Sequence, residues 1–410
     1  MTCQLPLATE IGERTVMTHA TIPFREGFPA LRNQTYLSIC DKMILHRQVR
    51  AEVETFLDAL ADASASRTQH ETRVTACRER FAALVGARPE EIAVGRNVSD
   101  GINATIWAVD WREGDNVVLS LDLEHPNNAY PWLRLRERGV ELRSIPARDG
   151  RLDYAALIGA MDDRTRVLTC ASVSFAPGFR ADLERLGQAA HRRDALLVVD
   201  GVQTAGILQH DLHAENVDVF VTSTSKGLLG LYGFGFQFVS ARCLDRLRPA
   251  YLSRPAVASD NEDHSAMGSE AYRLQPDARR FEVGSYNLAG AYAADAAMAL
   301  LAQLGAETVE ARALDVAARL RTGMVELGLP DVAMPGPAEV SHLVTAGPLD
   351  AGGHGYSDTR WVTDLSAALA EARIAHTVRR GQLRFGTHAY NIDEDADRAL
   401  DVMQTVRRAA

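Results

Sequence analysis

The sequence predicts an α/β fold: a mostly parallel central sheet with helices on both faces, followed by a smaller α+β C-terminal domain. Three observations carry this. Short apolar runs rich in β-branched residues recur at NVVLSLD (116–122), RVLTCASVS (166–174), ALLVVDG (195–201) and VDVFVTST (217–224). They lack the polar alternation of a half-exposed strand, so both of their faces must be covered. Amphipathic stretches such as DLERLGQAAHRRD (182–194) separate several of them, the pattern of strand–helix–strand units. The length of 410 residues, with 46% hydrophobic and 24% charged content, suits one large domain plus a lesser one.

In chain order, residues 1–35 show no clear period and read as an N-terminal arm over the main body. A large domain is expected over 36–290. It begins with two helices, HRQVRAEVETFLDAL and RVTACRERFAALVG, whose apolar residues fall at helical spacing, with Gly86 stopping the second. The four apolar runs follow. GFGFQFVS (233–240) reads as one more strand, close enough to its predecessor to be antiparallel. Residues 252–280, rich in Asp, Ser and Arg, read as a mobile loop. Alanine-rich helices, short strands and a last helix, DEDADRALDVMQTVRRA, make up a second domain over 291–410.

The net charge of −10 argues against a nucleic-acid surface, which needs a basic face. No apolar run approaches the roughly 20 residues that span a bilayer, and the first residues lack the pattern of a signal peptide. Five scattered cysteines (Cys3, Cys40, Cys77, Cys170, Cys243), never in a CxxC, suit reduced thiols and a cytoplasmic setting. They read as small core residues.

In an open parallel sheet, ligands bind beyond the carboxyl ends of the strands. Chemically able residues lie at those positions. Asp200 ends ALLVVD, with Gln203 three residues on; Ser223 and Lys226 follow VDVFV; EHPNN (124–128) follows VVLSLD. GRNVSDGIN (95–103) opens an apolar helix, where Ser99 and Asp100 either cap the helix or help to bind an anion. Each residue alone has a plain structural reading. Together, a lysine for an imine, a carboxylate for a pyridine nitrogen, a flat histidine and a phosphate-binding helix start describe a pyridoxal-phosphate site. The glycines of GLLGLYGFG (227–235) match neither GxxxxGK[ST] nor GxGxxG. Two other classes stay open: a nucleotide-dependent α/β enzyme, and a catalytically silent protein of this fold.

From about Tyr36 onward the chain resembles the class V aminotransferase family of fold-type-I pyridoxal-phosphate enzymes. That family includes cysteine desulfurases, kynureninases, isopenicillin-N-epimerase-like proteins and C–S lyases. RNVSDGIN is similar to the family's phosphate-binding helix start, which implies Ser99 and the Val98 backbone as phosphate ligands. EHPNNAYPW resembles the stretch whose histidine, here His125, stacks on the cofactor ring, and implies Asn128 as a substrate contact. VVDGVQTAG implies Asp200 at the pyridine nitrogen and Gln203 at the phenolic oxygen. TSTSKGLLG implies Lys226 as the Schiff-base lysine and Ser223 as a phosphate ligand. RRFEVGSYNLAG implies Ser285 reaching the phosphate of a neighbouring subunit, hence a homodimer with shared sites. LRFGTHAYNIDEDAD implies Arg384 on the substrate carboxylate.

Departures narrow the expected function. The stretch ARIAHTVRRGQLRFG (372–386) has no cysteine where the resemblance would require the nucleophile of a desulfurase, so desulfuration is disfavoured. Ser225 stands where desulfurases carry histidine, and Phe175 where many relatives have asparagine. The leading expectation is β-elimination of the C–S lyase type on a small amino acid or amino-acid conjugate, with transamination and epimerisation as alternatives. Arg379 and Arg380 read as a solvated basic loop that could instead meet a second acidic group.

Overall fold

A computed structural model describes residues 21–258 and 272–409. Residues 1–20 of the expected arm and 259–271 of the expected loop lie outside the described residues.

A strand forms at each of the five runs read from the sequence, and two more, at 92–95 and 141–144, form where none was read. The main sheet has seven strands: β1 (Ile92–Gly95), β2 (Asn116–Leu119), β3 (Glu141–Ser144), β4 (Thr165–Ala171), β5 (Leu196–Asp200), β6 (Val219–Ser223) and β7 (Gly235–Val239). Their spatial order is β1-β7-β6-β5-β4-β2-β3. All pairings are parallel except those of β7, which runs antiparallel to both β1 and β6. Every residue of β5, β6 and β7 is buried, because successive side chains alternate between two separate apolar cores. Leu197, Val199, Phe220 and Phe236 point into one. Leu196, Val198, Val219 and Val221 point into the other.

Helices α1 (Arg47–Ala61) and α2 (Arg67–Leu84) pack on the first face. On the second face lie α3 (Val98–Ala108) and α4 (Pro126–Leu133). The amphipathic stretch at 182–194 becomes α5 (Leu183–Arg192). Gly101 lets α3 approach the sheet: a Cβ there would sit 2.6 Å from Cγ1 of Val221 on β6.

The later part differs from expectation in one respect. The boundary placed at 291 falls inside α6 (Leu288–Leu304), which packs against α1 and α2 and contributes Ala291, Ala294, Ala297, Met298 and Leu301 to the first core. The chain bends by 83° between α6 and α7 (Ala306–Glu326). Gly305, with φ of 81°, makes that bend. Two alanine-rich helices in succession look alike in composition, so only the glycine marked the change. Beyond it, β8 (Leu343–Ala346), β9 (Thr377–Arg379) and β10 (Gln382–Gly386) form an antiparallel sheet in the order β8-β10-β9. It shares a third apolar core with α7, α8 (Arg360–Glu371) and α9 (Asp393–Ala409). Thr35–Tyr36 pairs in parallel with Ile374–Ala375, tying the end of the expected arm to this second unit. No single helix among the described residues is long and apolar enough to cross a membrane.

Candidate active site

The carboxyl ends of β2, β5 and β6, the start of α3 and the β9–β10 hairpin meet around one cavity of about 690 Å³. This lies within the range of roughly 300–1,000 Å³ usual for small-molecule sites. Val98, Ser99, His125, Asp200, Gln203, Ser223, Lys226 and Arg384 all line it. These residues are spread over 287 positions of sequence, and the crossovers of a parallel sheet bring them together.

Lys226 sits on a tight loop after β6. The Leu229 N–H donates to its carbonyl at 2.8 Å, and Gly230 N–H closes back onto the Thr224 carbonyl at 2.8 Å. His388 Nε2 donates to the Gly227 carbonyl at 2.9 Å and holds the same loop from behind. Burial lowers the Lys226 pKa; the nearby Asp200 opposes this, and Arg384 adds to it. Asp200 is only 4% exposed. Its Oδ1 accepts from Val202 N–H at 3.0 Å. Burial raises its pKa, against the pull of that N–H and of Lys226.

α3 begins at the wall of the same cavity. Asn97, not Ser99 or Asp100, caps it by accepting from Asp100 N–H at 3.0 Å, and the Asp100 carboxylate is held by Arg96 at 2.6 Å. Ser99 is thereby left facing the cavity, beside the first-turn amides that a helix cannot satisfy internally. Ser223 Oγ lies 3.1 Å from Ser225 Oγ, placing a second hydroxyl there.

His125 opens α4 and accepts from Asn127 N–H at its Nδ1, 3.2 Å away. Partial burial, reinforced by Lys226, Arg384 and Arg379, lowers its pKa to about 4. The neutral ring therefore carries its proton on Nε2. Phe175 packs edge-on against it, with centroids 5.6 Å apart.

Arg384, on β10, is 2% exposed. It donates from Nε to Thr377 Oγ1 at 3.0 Å and from Nη1 to the Phe175 carbonyl at 2.9 Å. It has no carboxylate partner among the described residues. A buried charge of this kind requires an anion.

Three expectations are corrected or qualified. Asn128 does not line the cavity: it is fully buried, donating to Glu124 Oε2 at 2.7 Å and accepting from Trp132 Nε1 at 3.0 Å. Its amide is consumed in binding Glu124 to α4, and Asn127 is the cavity residue. Arg379 and Arg380 are not a solvated loop. Arg379 pairs with Asp41 at 2.7 Å; Arg380 forms a bidentate pair with Asp350 at 2.6 and 2.7 Å. Ser285 is exposed and lies outside the cavity of its own chain.

The structure also adds residues. Cys40, Asp41, Asn127 and His354 line the cavity. The turn bearing Cys40 and Asp41 is fixed by two long-range bonds, Gln203 Nε2 to the Cys40 carbonyl (3.1 Å) and Met43 N–H to the Ser225 carbonyl (2.9 Å), which no local pattern announces. His354 stands in GGHG after a strand, a spacing that marks a loop able to approach a ligand. Glu124 accepts from Ala171 N–H at 3.0 Å and, through burial and the nearby Asp200, has a pKa raised to about 7.

The donor set fits pyridoxal phosphate on its own chemistry. Gln203 Oε1 is buried with no hydrogen-bond partner among the described residues. Asp200 is a buried carboxylate suited to a cationic partner, Lys226 an amine whose pKa burial lowers, and the α3 start an anion site. Fold and site define a fold-type-I pyridoxal-phosphate enzyme.

The class V aminotransferase family model matches residues 45–398, and the chain belongs to that family. A probable cysteine desulfurase of Methanothermobacter thermautotrophicus is 31% identical over 292 residues, covering 70% of this chain and 71% of that protein. The uncharacterized aminotransferase YcbU of Bacillus subtilis is 26% identical over 94% of this chain and 98% of its own length. Among solved structures, the cystine C–S lyase C-DES with its product cysteine persulfide superposes with a TM-score of 0.81 at 21% identity, covering 92% of this chain and 99% of that one. At that identity, the likeness shows the fold alone.

Proposed function

We propose that the protein is a C–S lyase that carries out β-elimination on a cysteine-type amino acid. The overall reaction consumes one water and yields a thiol, pyruvate and ammonia. The observation that supports it is the β9–β10 connection. Arg379 pairs directly with Gln382, so a two-residue turn stands where a desulfurase would need a loop for its nucleophilic cysteine.

Pyridoxal phosphate, when bound, supplies an electron sink for the carbanion at Cα. The roles of this chain's residues follow from their chemistry. Arg384 receives the substrate carboxylate in a bidentate pair and fixes which Cα bond is aligned. Lys226, its amine favoured neutral by burial, removes the α-proton. Asp200, kept ionised by a cationic ring nitrogen, holds the proton there. Val98, Ser99 and Ser223 hold the phosphate, Gln203 meets the phenolic oxygen, and His125 covers the ring face. A homodimer in which Ser285 completes the partner's phosphate site belongs to this reading.

A second reading is favoured by one observation. Cys40 lines the same cavity as Lys226, and relatives named as cysteine desulfurases are among the most similar. A sulfur acceptor must hand its sulfur onward, whereas Cys40 is 1% exposed and packed against Gly386, which disfavours that role.

The test is a single turnover without a keto-acid acceptor. Thiol, pyruvate and ammonia in equal amounts, with the cofactor still an aldehyde, are expected. Accumulation of pyridoxamine phosphate would instead mean transamination. Cys40→Ser is expected to retain turnover; loss of sulfur release in that variant alone would establish desulfuration.

A further inference from the structure

Within the cavity, Asp41, on the turn after Tyr36, forms an ion pair with Arg379 on β9. Asp41 Oδ1 lies 2.7 Å from Arg379 Nη2, both side chains line the cavity, and they are 35% and 12% exposed. The Arg379 guanidinium also donates from Nη1 to the carbonyl of its neighbour Val378, at 2.9 Å.

The sheet sets the spacing to Arg384. Thr377 lies opposite Arg384, and Arg379 is two residues further along the same strand. Arg379 and Arg384 therefore share one face of the hairpin as diagonal neighbours, about 7–8 Å apart. In two cysteines joined through sulfur the α-carbons stand about 5.5–6 Å apart, with a carboxylate beyond each. One arginine for each carboxylate is a spacing such a molecule can span.

Charge selects further. Arg384 lacks a carboxylate partner among the described residues, so the reacting end must bring an anion. The Asp41–Arg379 pair is neutral as a unit. A lone second carboxylate drawn to Arg379 would be repelled by Asp41, and an uncharged tail would have no reason to open the pair. A zwitterionic amino-acid head exchanges partner for partner: its carboxylate replaces Asp41 on the arginine and its ammonium replaces Arg379 on the aspartate. No charge is then left buried and unpaired.

We propose that the Asp41–Arg379 pair receives the distal head of a two-headed substrate, two amino acids joined through sulfur, while Arg384 holds the carboxylate at the reacting end. This rests on the proposed lyase reading and names its substrate class.

The experiment is a rapid-mixing titration of the holoenzyme, following the bound cofactor's absorbance, with pyruvate and the leaving group (a persulfide from L-cystine, a thiol from a thioether) measured separately. Three probes are compared: L-cystine (two zwitterionic heads), S-carboxymethyl-L-cysteine (a second carboxylate alone) and S-methyl-L-cysteine (neither). L-cystine is expected to bind at least about tenfold more tightly than the other two. Asp41→Asn erases that lead and favours S-carboxymethyl-L-cysteine. Arg379→Gln weakens L-cystine and S-carboxymethyl-L-cysteine, and neither variant moves S-methyl-L-cysteine. The proposal is overturned if the parent binds all three alike, or if both variants weaken all three equally, which would make the pair a support for the hairpin. If the ranking holds and no pyruvate appears, the lyase reading fails and the distal site stands. Pyruvate release without the ranking means the reverse.

Discussion

His342 and His388 lie behind the cavity and make opposite use of the same side chain. His388 is fully satisfied, accepting from Ala389 N–H at Nδ1 (2.8 Å) and donating from Nε2 to the loop that carries Lys226. His342 is fully buried, with neither ring nitrogen partnered among the described residues. Burial lowers both pKa values, to about 4 for His388 and about 3 for His342, in each case as the largest cause. Both folded values lie below the usual 6.5, so the unfolded chain takes up protons first as pH falls. The stability these neutral rings contribute is complete above about pH 6.5 and is lost toward pH 4 for His388 and pH 3 for His342, at about 1.4 kcal/mol per pH unit for each. Thermal unfolding between pH 7 and 4.5 checks this slope. His342→Leu is expected to flatten it and to raise stability at pH 7 by about 1 kcal/mol, since it removes an unsatisfied buried group. A loss instead would mean that the imidazole nitrogens are satisfied in solution.

Among the elements, the β9–β10 hairpin matters most to the site, because Arg379 and Arg384 both ride on it. Its turn residues, Arg380 and Gly381, have φ of 50° and 79°, the positive values that a two-residue hairpin turn demands. A Cβ on Gly381 would lie 2.4 Å from the carbonyl carbon and oxygen of Ala351, backbone atoms at the base of the loop that carries His354. Gly381→Ala is expected to cost about 2 kcal/mol or more in denaturant unfolding and to weaken every amino-acid probe, since both arginines move. Unchanged stability and binding would show that the turn is not under this constraint. How much of such an element the sequence reveals depends on where its forces originate. The central strands were legible because burial on both faces demands unbroken apolar runs, and the place of Asp200, Ser223 and Lys226 at the cavity because a parallel sheet opens beyond the ends of such runs. Asn128 was misplaced because its partners, Glu124 and Trp132, lie four residues away on either side and are buried with it, and a motif does not say which of two asparagines turns inward. Asp41 was missed because its place depends on a β9 residue 338 positions away.

For the whole molecule, the remaining question is what covers the outer side of the phosphate end. Tyr251 and Val283 are 60% and 51% exposed, and they flank a recess that also contains Arg96, Asn97 and Asp100 at the start of α3. Large apolar side chains left open beside a charged helix start suit an association surface better than bulk water. Ser285 is two residues beyond Val283 and also exposed, so a second copy seated here would receive Ser285 next to its own α3 while presenting its own serine in return. That reciprocity is the property of a two-fold interface. Sedimentation of the holoenzyme is expected to give the mass of two 44.7 kDa chains. Val283→Asp places an unpaired charge on the contact and is expected to shift the protein toward single chains that hold pyridoxal phosphate at least about tenfold more weakly, by about 1.4 kcal/mol. Ser285→Ala should leave the dimer intact and weaken the cofactor alone. A parent protein that sediments as one chain and still retains its cofactor would remove the shared-site arrangement, and with it the only role here assigned to Ser285.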